Sequence, residues 1–454
     1  MRISLKTALC SLALALANGS SADDWPQWLG PKRDGVWREQ GILEKFPAGG
    51  PPVLWRVPVN GGYAGPAVVG NRLYVTDRKA GKPLERKPGE RGIPSLPGTE
   101  RILCLDTTTG KSIWEHSYDC AYRIDYPSGP RATPLVADGK VYTLGAMGDL
   151  LCFNAESGEV LWARHFLKDF HLTDPPVWGW AAHPLIEGNR LICLVGGEGS
   201  AVVAFDKESG KELWRALSTK EICYAPPMMA ELGGKRQLII WHSEAISSLN
   251  PATGEAYWTQ PYPVEGKSQR PEVCIATPRV AGDLLFVSSF YQGALMLKLT
   301  AEPPAAKVLW NRKSSSKSAI NDGLHTVMST SVIRDGYVYG VCGMGELRCL
   351  DANTGDRIWE SYAATGGKQN LFGTAFFVEH KDRYFIWNDQ GELLLGRLDA
   401  KGFQEISRAR LLEPKENARG RDVVWSHPAF ANRCAYIRNH QELISVLLAA
   451  PRLE

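Results

Sequence analysis

The sequence of 454 residues lacks most of the short motifs that accompany catalytic centres. It has no His-Glu-x-x-His zinc motif, no phosphate-binding glycine loop and no Gly-x-Ser-x-Gly nucleophile turn. It also has no Cys-x-x-Cys, no Cys-x-x-Cys-His and no two adjacent cysteines. These absences argue against a zinc protease, a nucleotide hydrolase, a serine hydrolase of the common kind and a covalently attached haem.

A charge excess and a second long apolar run are lacking too. The 52 basic and 49 acidic residues give a net charge of only +3, which does not indicate a nucleic-acid partner. Residues 1–22 fit a secretory signal peptide, because two basic residues precede an apolar run and small residues suit cleavage after Ala22. The run is too short to span a membrane, and the bulky Leu9 before Cys10 argues against a lipid anchor. We therefore expect an exported protein, periplasmic or extracellular, with no transmembrane segment.

The sequence does contain a repeated turn, which follows a strand of alternating apolar residues. Each copy consists of Asp or Asn, three residues, Gly, three further residues and Trp. Asp or Asn starts a turn by accepting backbone hydrogen bonds, Gly takes a positive φ, and Trp gives the returning strand a large apolar surface. The unit is therefore an antiparallel hairpin that must pack on further copies. The full copies are Asp106, Gly110 and Trp114; Asn154, Gly158 and Trp162; Asp206, Gly210 and Trp214; Asn250, Gly254 and Trp258; and Asp351, Gly355 and Trp359.

The spacing of the copies predicts the architecture. Trp55 and Trp310 end strands of the same kind behind a degraded or missing turn, so seven tryptophans recur at intervals of 44 to 59 residues. An eighth turn, Asp399 to Gly402, has no Trp. Two more strands precede each hairpin, as in Ala132 to Leu144, and the last unit lacks its fourth strand, which Val53 to Val57 can supply. We predict an all-β, eight-bladed propeller of four-stranded antiparallel blades, closed by this N-terminal strand.

This repeat resembles that of the pyrroloquinoline quinone (PQQ) quinoprotein propellers and their non-enzymatic relatives. Among those relatives is the propeller lipoprotein of the outer-membrane β-barrel assembly machinery. The opening Trp25-Pro-Gln-Trp-Leu-Gly-Pro-Lys-Arg-Asp-Gly35 resembles the start of secreted PQQ-like propellers of planctomycete-type bacteria. The resemblance covers the whole chain after the signal. It implies the propeller fold but leaves the function open, because this fold carries dehydrogenases as well as binding scaffolds.

Two segments add to the propeller, which takes residues 51–454. Residues 78–99 are a basic insertion in the first blade, rich in Pro and Gly, and are either a solvated loop or a docking loop for an acidic partner. Residues 23–50 form an N-terminal arm. We expect three indoles of this arm to pack on the propeller: Trp25, Trp28 and Trp37.

Nine of the ten cysteines follow the signal, an odd number that cannot pair completely. Export favours disulfides. Yet three cysteines lie two residues before the repeat's Asp or Asn, a place that other blades fill with Ala204 and Ser248, and are therefore expected to be small core residues: Cys104, Cys152 and Cys349. Cys342 and Cys349, on neighbouring strands, are the one pair considered as a bridge.

Ligand-binding residues are expected on the face opposite the Asp-x-x-x-Gly turns. There the crossovers between blades precede the innermost strands and project over the central channel. Their Arg, Trp, His and carboxylate side chains suit a planar anionic ligand, with Arg131 pairing a carboxylate and Trp180 stacking on a ring. Packing between blades is the alternative role for each residue. The candidates are Arg131, Trp178, Trp180, His183, Glu272, Asn321, Asp322, His325, Asn370, Trp425 and His427.

Two functions are compatible with these residues. We expect a non-enzymatic, monomeric scaffold that binds a protein partner or a small ligand on this face, and we assign no metal site and no catalytic residue. The alternative is a PQQ-dependent quinoprotein oxidoreductase with the cofactor and calcium in the channel. Calcium needs several oxygen ligands, and the candidates match no calcium motif. The alternative would be favoured if four residues converged at the channel mouth: Arg131, Glu272, Asn321 and Asp322.

Overall fold

The computed structural model describes residues 23–82, 93–267, 271–312 and 323–451. These residues form the predicted ring of eight four-stranded antiparallel blades. The predicted signal peptide lies outside the described residues. Among the described residues, no helix is both long enough and apolar enough to cross a bilayer.

The strands of each blade follow one another in sequence from the channel outward. Blades 1 to 4 consist of Ala67–Val69, Arg72–Ala80, Gly98–Asp106 and Ser112–Asp119; Leu135–Ala137, Lys140–Leu144, Asp149–Asn154 and Val160–His165; Leu185–Glu187, Arg190–Leu194, Val202–Asp206 and Glu212–Ala216; and Met228–Leu232, Lys235–His242, Ala245–Leu249 and Ala256–Pro261. Blades 5 to 7 consist of Arg279–Ala281, Leu284–Ser289, Gly293–Thr300 and Ala305–Arg312; Val332–Arg334, Tyr337–Val341, Leu347–Asp351 and Arg357–Ser361; and Ala375–His380, Arg383–Asn388, Glu392–Asp399 and Gly402–Arg410.

Blade 8 closes the ring with strands from both ends of the chain, as predicted. Its outer strand Val53–Pro58 pairs antiparallel with the third strand, so that Trp55 lies opposite Ser445. The other three strands are Ala429–Ala431, Cys434–Arg438 and Glu442–Leu447. The elements outside the blades are a helix Phe166–Asp169, a 3₁₀ turn Ala363–Thr365 and a hairpin of Glu416–Ala418 with Arg421–Val423.

The repeated turn shows the expected chemistry. The Asp106 carboxylate accepts hydrogen bonds from the backbone N–H groups of Thr108 (3.0 Å) and Thr109 (2.8 Å). Gly110 then has a φ of +71°, which other residues adopt at a cost. The other copies follow the same pattern. We call the end of the propeller that carries these turns the turn face, and the opposite end the crossover face.

The repeat tryptophan binds the next blade as well as burying its own surface. The Trp114 indole N–H donates to the carbonyl of Ala155, the residue after Asn154 in the turn of blade 2 (3.1 Å). A Cβ on Gly158 would lie only 2.6 Å from the same indole. The glycine of each turn is therefore required for two reasons. It adopts a positive φ, and any side chain there would clash with the indole of the preceding blade. Equivalent hydrogen bonds join Trp55 to Thr107, Trp162 to Lys207, Trp214 to Pro251, Trp310 to Ala352 and Trp359 to Asp399.

The irregular copies follow from this contact. Trp258 faces blade 5, which has no Asp-x-x-x-Gly turn, and its indole N–H donates instead to Gln237 within blade 4 (3.2 Å). Blade 7 faces blade 8, whose third and fourth strands come from opposite ends of the chain and are not joined by a turn. The tryptophan that blade 7 lacks would therefore have no turn to bind.

The small residues of the third strands are explained by the same tryptophans. Cys104 lies directly opposite Trp114 in the sheet, and Ala204 lies opposite Trp214. The indole occupies the space that a larger side chain would need, so Cys, Ala and Ser alternate there. In contrast, Cys349 lies opposite Tyr339, which is three residues before Cys342 on the neighbouring strand. Cys342 and Cys349 are therefore not placed to form a disulfide.

The basic insertion is shorter than predicted, because the strands of blade 1 extend to Ala80 and resume at Gly98. Arg78 is a core residue and not part of a loop. Its guanidinium donates to the carbonyls of Leu96 (2.6 Å) and Pro97 (2.8 Å) and lies 4.0 Å from the ring centre of Tyr122. Residues 83–92, which hold three of the six basic residues of the segment 78–99, lie outside the described residues.

The N-terminal arm lies across the turn face. Trp25 exchanges two backbone hydrogen bonds with Val68 of blade 1, and the Trp37 N–H donates to Glu379 of blade 7 (2.8 Å). Both indoles are almost fully buried in a cluster that joins blades 1, 7 and 8. The arm therefore ties together the two blades that flank the closing blade.

Candidate functional site

The crossovers surround a cavity of about 380 Å³ at the crossover end of the channel, here called the crossover cavity. Every one of the eight crossovers contributes to its wall. The volume lies within the range of small-molecule sites and also suits one or two large side chains. Aromatic and aliphatic side chains make up most of the lining, including Tyr63, Tyr126, Val177, Trp178, Tyr224, Val273, Ile275, Phe290, Tyr291, Met328, Phe372 and Trp425.

The floor of the cavity is the indole of Trp28, which enters the channel from the arm. It stacks on His183 with 4.3 Å between ring centres and meets His427 edge-on at 4.4 Å. Its N–H donates to the Thr277 hydroxyl (2.8 Å). These three residues precede the inner strands of blades 3, 8 and 5, so the indole lies across the channel axis. The cavity is therefore closed on its inner side.

The two histidines beside Trp28 are held neutral. The backbone N–H of Thr133 donates to His183 Nδ1 (2.8 Å), and that of Gly65 donates to His427 Nε2 (3.2 Å), so both nitrogens act as acceptors. Burial is the main cause that holds the pKa of His183 well below its usual value and lowers the pKa of His427 to about 3. An uncharged floor suits an aromatic or apolar ligand better than an anion.

Arg131 lies at the wall, but most of its donors are engaged. The guanidinium donates to the carbonyls of Asp125 (2.9 Å) and Tyr126 (2.6 Å) and lies 4.9 Å from the ring centre of Tyr63. It therefore holds its own crossover loop in shape and packs on an aromatic face. A free two-pronged pair with a ligand carboxylate would require these bonds to break.

A second part of the wall is the hairpin between blades 7 and 8. The Glu416 carboxylate at its start accepts from the Tyr63 hydroxyl (2.7 Å) and pairs with His440 Nδ1 (2.7 Å). Burial alone would raise the pKa of Glu416, but its contacts, that with His440 foremost, hold it below the usual value. At the hairpin tip, Arg419 lies 5.5 Å from the ring centre of Phe372. The hairpin thus adds a cation to an aromatic rim.

Two tryptophans of the wall differ in what they offer a ligand. Trp178 is half-buried and packs on Tyr224 with 5.0 Å between ring centres. Trp425 is 8% exposed and packs on Tyr126, and its buried indole N–H has no acceptor within the part of the chain that the structure describes. A buried donor without an acceptor is costly, so a ligand oxygen that reached this N–H would remove that cost.

The predicted candidates divide into three groups. Five line the crossover cavity: Arg131, Trp178, His183, Trp425 and His427. Four are described but lie elsewhere: Trp180, Glu272, His325 and Asn370. Two, Asn321 and Asp322, lie outside the described residues.

The residues that lie elsewhere have structural contacts. Gly179 has a φ of +69° and turns the chain between the two neighbouring tryptophans, so Trp180 points into the core and its indole donates to Val195 (2.9 Å). Glu272 is fully buried and accepts from the side chains of Ser289 (3.3 Å) and Gln292 (3.2 Å). Trp180 and Glu272 therefore do not meet a ligand in the cavity.

His325 and Asn370 are engaged in a similar way. His325 is 1% exposed, and its Nδ1 lies 2.9 Å from the carbonyl oxygen of Phe290. The Asn370 amide donates to Lys368 of its own loop (3.2 Å). Both residues shape crossover loops whose aromatic neighbours, Phe290 and Phe372, form the wall.

Sequence reasoning missed much of the aromatic wall, and it did not place Trp28 in the floor. The missed residues are single aromatics, mostly in different crossovers: Tyr63, Tyr126, Tyr224, Phe290 and Phe372. One shared signal was present, since most of these crossovers place an aromatic residue within a few positions of an inner strand. Nothing in the repeat indicated that Trp28 enters the channel.

PQQ with calcium does not fit the described residues of the cavity. Calcium takes six to eight oxygen ligands, whereas Asp125 is the single carboxylate among the described lining residues. Glu272 is turned into the core and Arg131 is bound to backbone carbonyls. Among the residues that the structure describes, no three His, Cys, Asp or Glu side chains are grouped to hold a metal ion.

Comparison with known proteins agrees with the fold. The family model described as outer membrane protein assembly factor BamB matches residues 98–361, more than half of the chain. A protein of that name from Moranella endobia is 24% identical over 265 residues, which are 55% of this chain and 62% of the relative. One from Shewanella oneidensis is 22% identical over 267 residues, 58% of this chain and 64% of the relative. The match thus spans less than two thirds of each relative.

Solved structures share the architecture. The crystal structure of BamB from Moraxella catarrhalis aligns over 87% of this chain and 100% of its own, with a TM-score of 0.58 and 14% identity. The computationally designed Ika8 protein aligns over 87% of this chain and 99% of its own, with a TM-score of 0.53 and 10% identity. At such identities the likeness shows the fold alone. The matched family model settles the family: the chain belongs to the PQQ-like β-propellers described as outer membrane protein assembly factor BamB.

Proposed function

We propose that this protein is an exported binding scaffold whose crossover cavity receives an apolar, aromatic-containing segment of a protein partner. One observation carries the proposal: all eight unrepeated crossovers combine to line one aromatic cavity with a closed, uncharged floor. Binding sites are concave and mostly apolar, with a few polar groups that fix orientation. Aromatic residues are also enriched at the centres of protein interfaces.

The polar groups of the cavity define the segment further. The Trp425 N–H is a buried donor, and the cation of Arg419 lies at the rim on Phe372. A segment that inserts an aromatic or large aliphatic side chain toward Trp28 and presents a carbonyl or carboxylate oxygen near Trp425 satisfies both. Such a segment need not be folded before it binds.

Two further points support a protein partner outside the cytoplasm. The curated relatives carry the name outer membrane protein assembly factor. The first 22 residues fit a signal peptide. We expect the scaffold to be a monomer.

A photo-crosslinking residue at the rim tests the proposal. Leu371 adjoins Phe372 on a crossover and is 41% exposed, and Ile113 on the outer strand of blade 1 is equally exposed at 41%. Benzoylphenylalanine at position 371 should give a discrete adduct with a partner in cells, and the same residue at position 113 should not. The adduct should disappear when Ala181→Trp fills the cavity. Equal adducts at both positions, or an adduct that persists with Ala181→Trp, would refute a cavity-directed partner.

The oxidoreductase alternative is separated by a titration. PQQ added with and without calcium, followed by tryptophan fluorescence, should produce no saturable calcium-dependent quenching. Quenching that saturates and is lost in an Arg131→Ala variant would replace the scaffold with a quinoprotein.

A further inference from the structure

Two buried cysteines from different crossovers lie side by side behind the wall of the crossover cavity. Cys223 lies in the crossover from blade 3 to blade 4, and Cys274 in that from blade 4 to blade 5. They are 2% and 0% exposed. The backbone N–H of Tyr224 donates to the carbonyl of Cys274 (2.9 Å). The two crossovers are therefore in direct contact at these residues.

This contact brings the two side chains within reach of each other. Standard bond lengths around the Tyr224 to Cys274 hydrogen bond keep the two Cα atoms within about 8 Å, close to the span of a disulfide. Both side chains belong to one apolar cluster between blades 4 and 5, and Cys223 Sγ lies 3.8 Å from the carbonyl oxygen of Glu272, two residues before Cys274. Cys223 also adopts a φ of +60°, which is unusual for a residue with a side chain and shows that its surroundings fix its direction.

We propose that Cys223 and Cys274 form a disulfide in the exported protein, which joins two of the crossovers that line the cavity. The oxidant is a disulfide of the exported compartment, carried by a protein or a small thiol. One cysteine thiolate attacks a sulfur of that disulfide and releases one thiolate. The second cysteine thiolate then attacks the mixed disulfide, so the Cys223–Cys274 bond forms while the oxidant's S–S bond is reduced to two thiols.

The bond must form before the crossovers pack. Burial raises the pKa of the Cys274 thiol well above its usual value, so the folded protein holds a protonated, inaccessible and unreactive thiol. Oxidation during folding avoids this barrier and then becomes irreversible in practice, because the same burial excludes reductants.

The position of the bond gives it a consequence for the cavity. Tyr224 follows Cys223 directly, and Val273 and Ile275 flank Cys274; all three line the cavity. A bridge between their backbones holds this part of the wall at a fixed separation. We infer that the wall built by these two crossovers is covalently braced, independently of what the cavity binds.

Peptide mapping without reductant tests the disulfide directly. The full chain is exported, purified without reductant, unfolded in the presence of iodoacetamide and cut with trypsin, which separates peptide 221–235 from peptide 268–279. The expected product is the two peptides joined, two hydrogens lighter than their sum, which reductant separates. The unfolded chain should then show seven reactive thiols after removal of the signal, and nine once reduced. Alkylated Cys223 and Cys274 in separate peptides would overturn the proposal.

Variants give a second readout. Cys223→Ala, Cys274→Ala and the double variant should each lower Tm by a similar amount relative to the unreduced protein, and reductant present during folding should remove the difference. Cys152→Ala is the matched control, because Ala204 fills the same place in blade 3. Its Tm should still fall when reductant is present during folding, as the Tm of the unsubstituted protein does. Additive losses from the two single variants, or losses that reductant does not change, would show packing alone and refute the bridge.

Discussion

The two ends of the propeller channel are built in opposite ways. At the turn face, repeated Asp-x-x-x-Gly turns dock on the tryptophans of neighbouring blades, and the arm closes the channel with Trp28. At the crossover face, no two loops are alike, and half-buried aromatic residues such as Trp178 face an open cavity. At the repeated end, the indole N–H groups of the seven repeat tryptophans all have acceptors within the chain. The unrepeated end keeps an indole N–H, that of Trp425, without an acceptor among the described residues.

This difference indicates a division of labour between the two ends. A surface whose polar groups are satisfied within the chain contributes to stability, whereas a concave surface with exposed aromatic rings and a spare donor is suited to a ligand. Changes at the turn face should therefore act mainly on folding, and changes at the crossover face mainly on binding.

Loss of the floor should have the largest effect on stability. Trp28→Ala removes the stacking on His183 and leaves the Thr277 hydroxyl without its donor, so it should reduce the free energy of unfolding by about 3–5 kcal/mol. Trp178→Ala, at the half-buried wall, should cost only about 1 kcal/mol. Denaturant unfolding of both variants measures the difference. Equal losses would contradict the contrast between the two ends.

A glycine pair separates the docking contact from backbone conformation. Gly139 and Gly158 both lie in turns of blade 2 with φ near +72° and +75°, but a Cβ on Gly139 meets nothing within 4 Å while one on Gly158 would meet Trp114 at 2.6 Å. Gly139→Ala should cost about 1 kcal/mol from φ alone. Gly158→Ala should cost about 2–4 kcal/mol, because overpacking is added. If chemical unfolding gave the same loss of stability for both variants, the contact with the Trp114 indole would not contribute to the cost of Gly158→Ala.

The buried histidines predict a pH dependence. Because the pKa of His427 is about 3 in the folded protein, the unfolded chain takes up a proton that the folded chain refuses as pH falls below about 6.5. Stability should thus fall between pH 7 and pH 5, by about 2 kcal/mol from this group. His183 acts in the same direction.

The His427→Gln variant should lose that part of the pH slope. His171 is exposed, and His171→Gln should leave the slope unchanged. Denaturant unfolding at the two pH values provides the measurement. A pH slope as steep in His427→Gln as in the unsubstituted protein would show that His427 does not contribute to the acid sensitivity.

The smallest effect on stability should come from removing the indole N–H groups of Trp180 and Trp425. Trp180→Phe leaves the buried carbonyl of Val195 without a donor, whereas Trp425→Phe removes an N–H that has no acceptor among the described residues. Trp180→Phe should therefore be less stable than Trp425→Phe by about 1 kcal/mol. Trp425→Phe should instead weaken a ligand that presents an oxygen. Thermal unfolding compares the stabilities of Trp180→Phe and Trp425→Phe. A binding assay measures the loss of ligand affinity in Trp425→Phe.

Sequence reasoning predicted the regular part of the molecule because that part is repeated. Each Asp-x-x-x-Gly-x-x-x-Trp copy reports one hairpin, so the blade count and the closure by Val53–Pro58 followed from spacing alone. The meaning of the glycine was only half predicted. Its second role, contact with the tryptophan of the preceding blade, appears only when two blades are side by side.

The cavity was harder to predict because its residues share no pattern. Trp178 and Trp180 look equivalent in sequence, but the turn at Gly179 sends one to the cavity and the other to the core. Glu272 is an acid in a crossover, yet its oxygens accept hydrogen bonds from within the fold. The direction of a single side chain in an irregular loop depends on contacts from distant blades, which local sequence does not contain.

We propose that the crossover end holds one accessible aromatic site above a closed floor. Titration with 8-anilinonaphthalene-1-sulfonate, which combines aromatic rings with an anionic oxygen acceptor, tests it most directly. We expect one saturable site per chain, whose affinity calcium does not change, Trp425→Phe weakens and Ala181→Trp abolishes. Binding that is unchanged by Ala181→Trp would place the exposed apolar surface elsewhere and refute a ligand site in the crossover cavity.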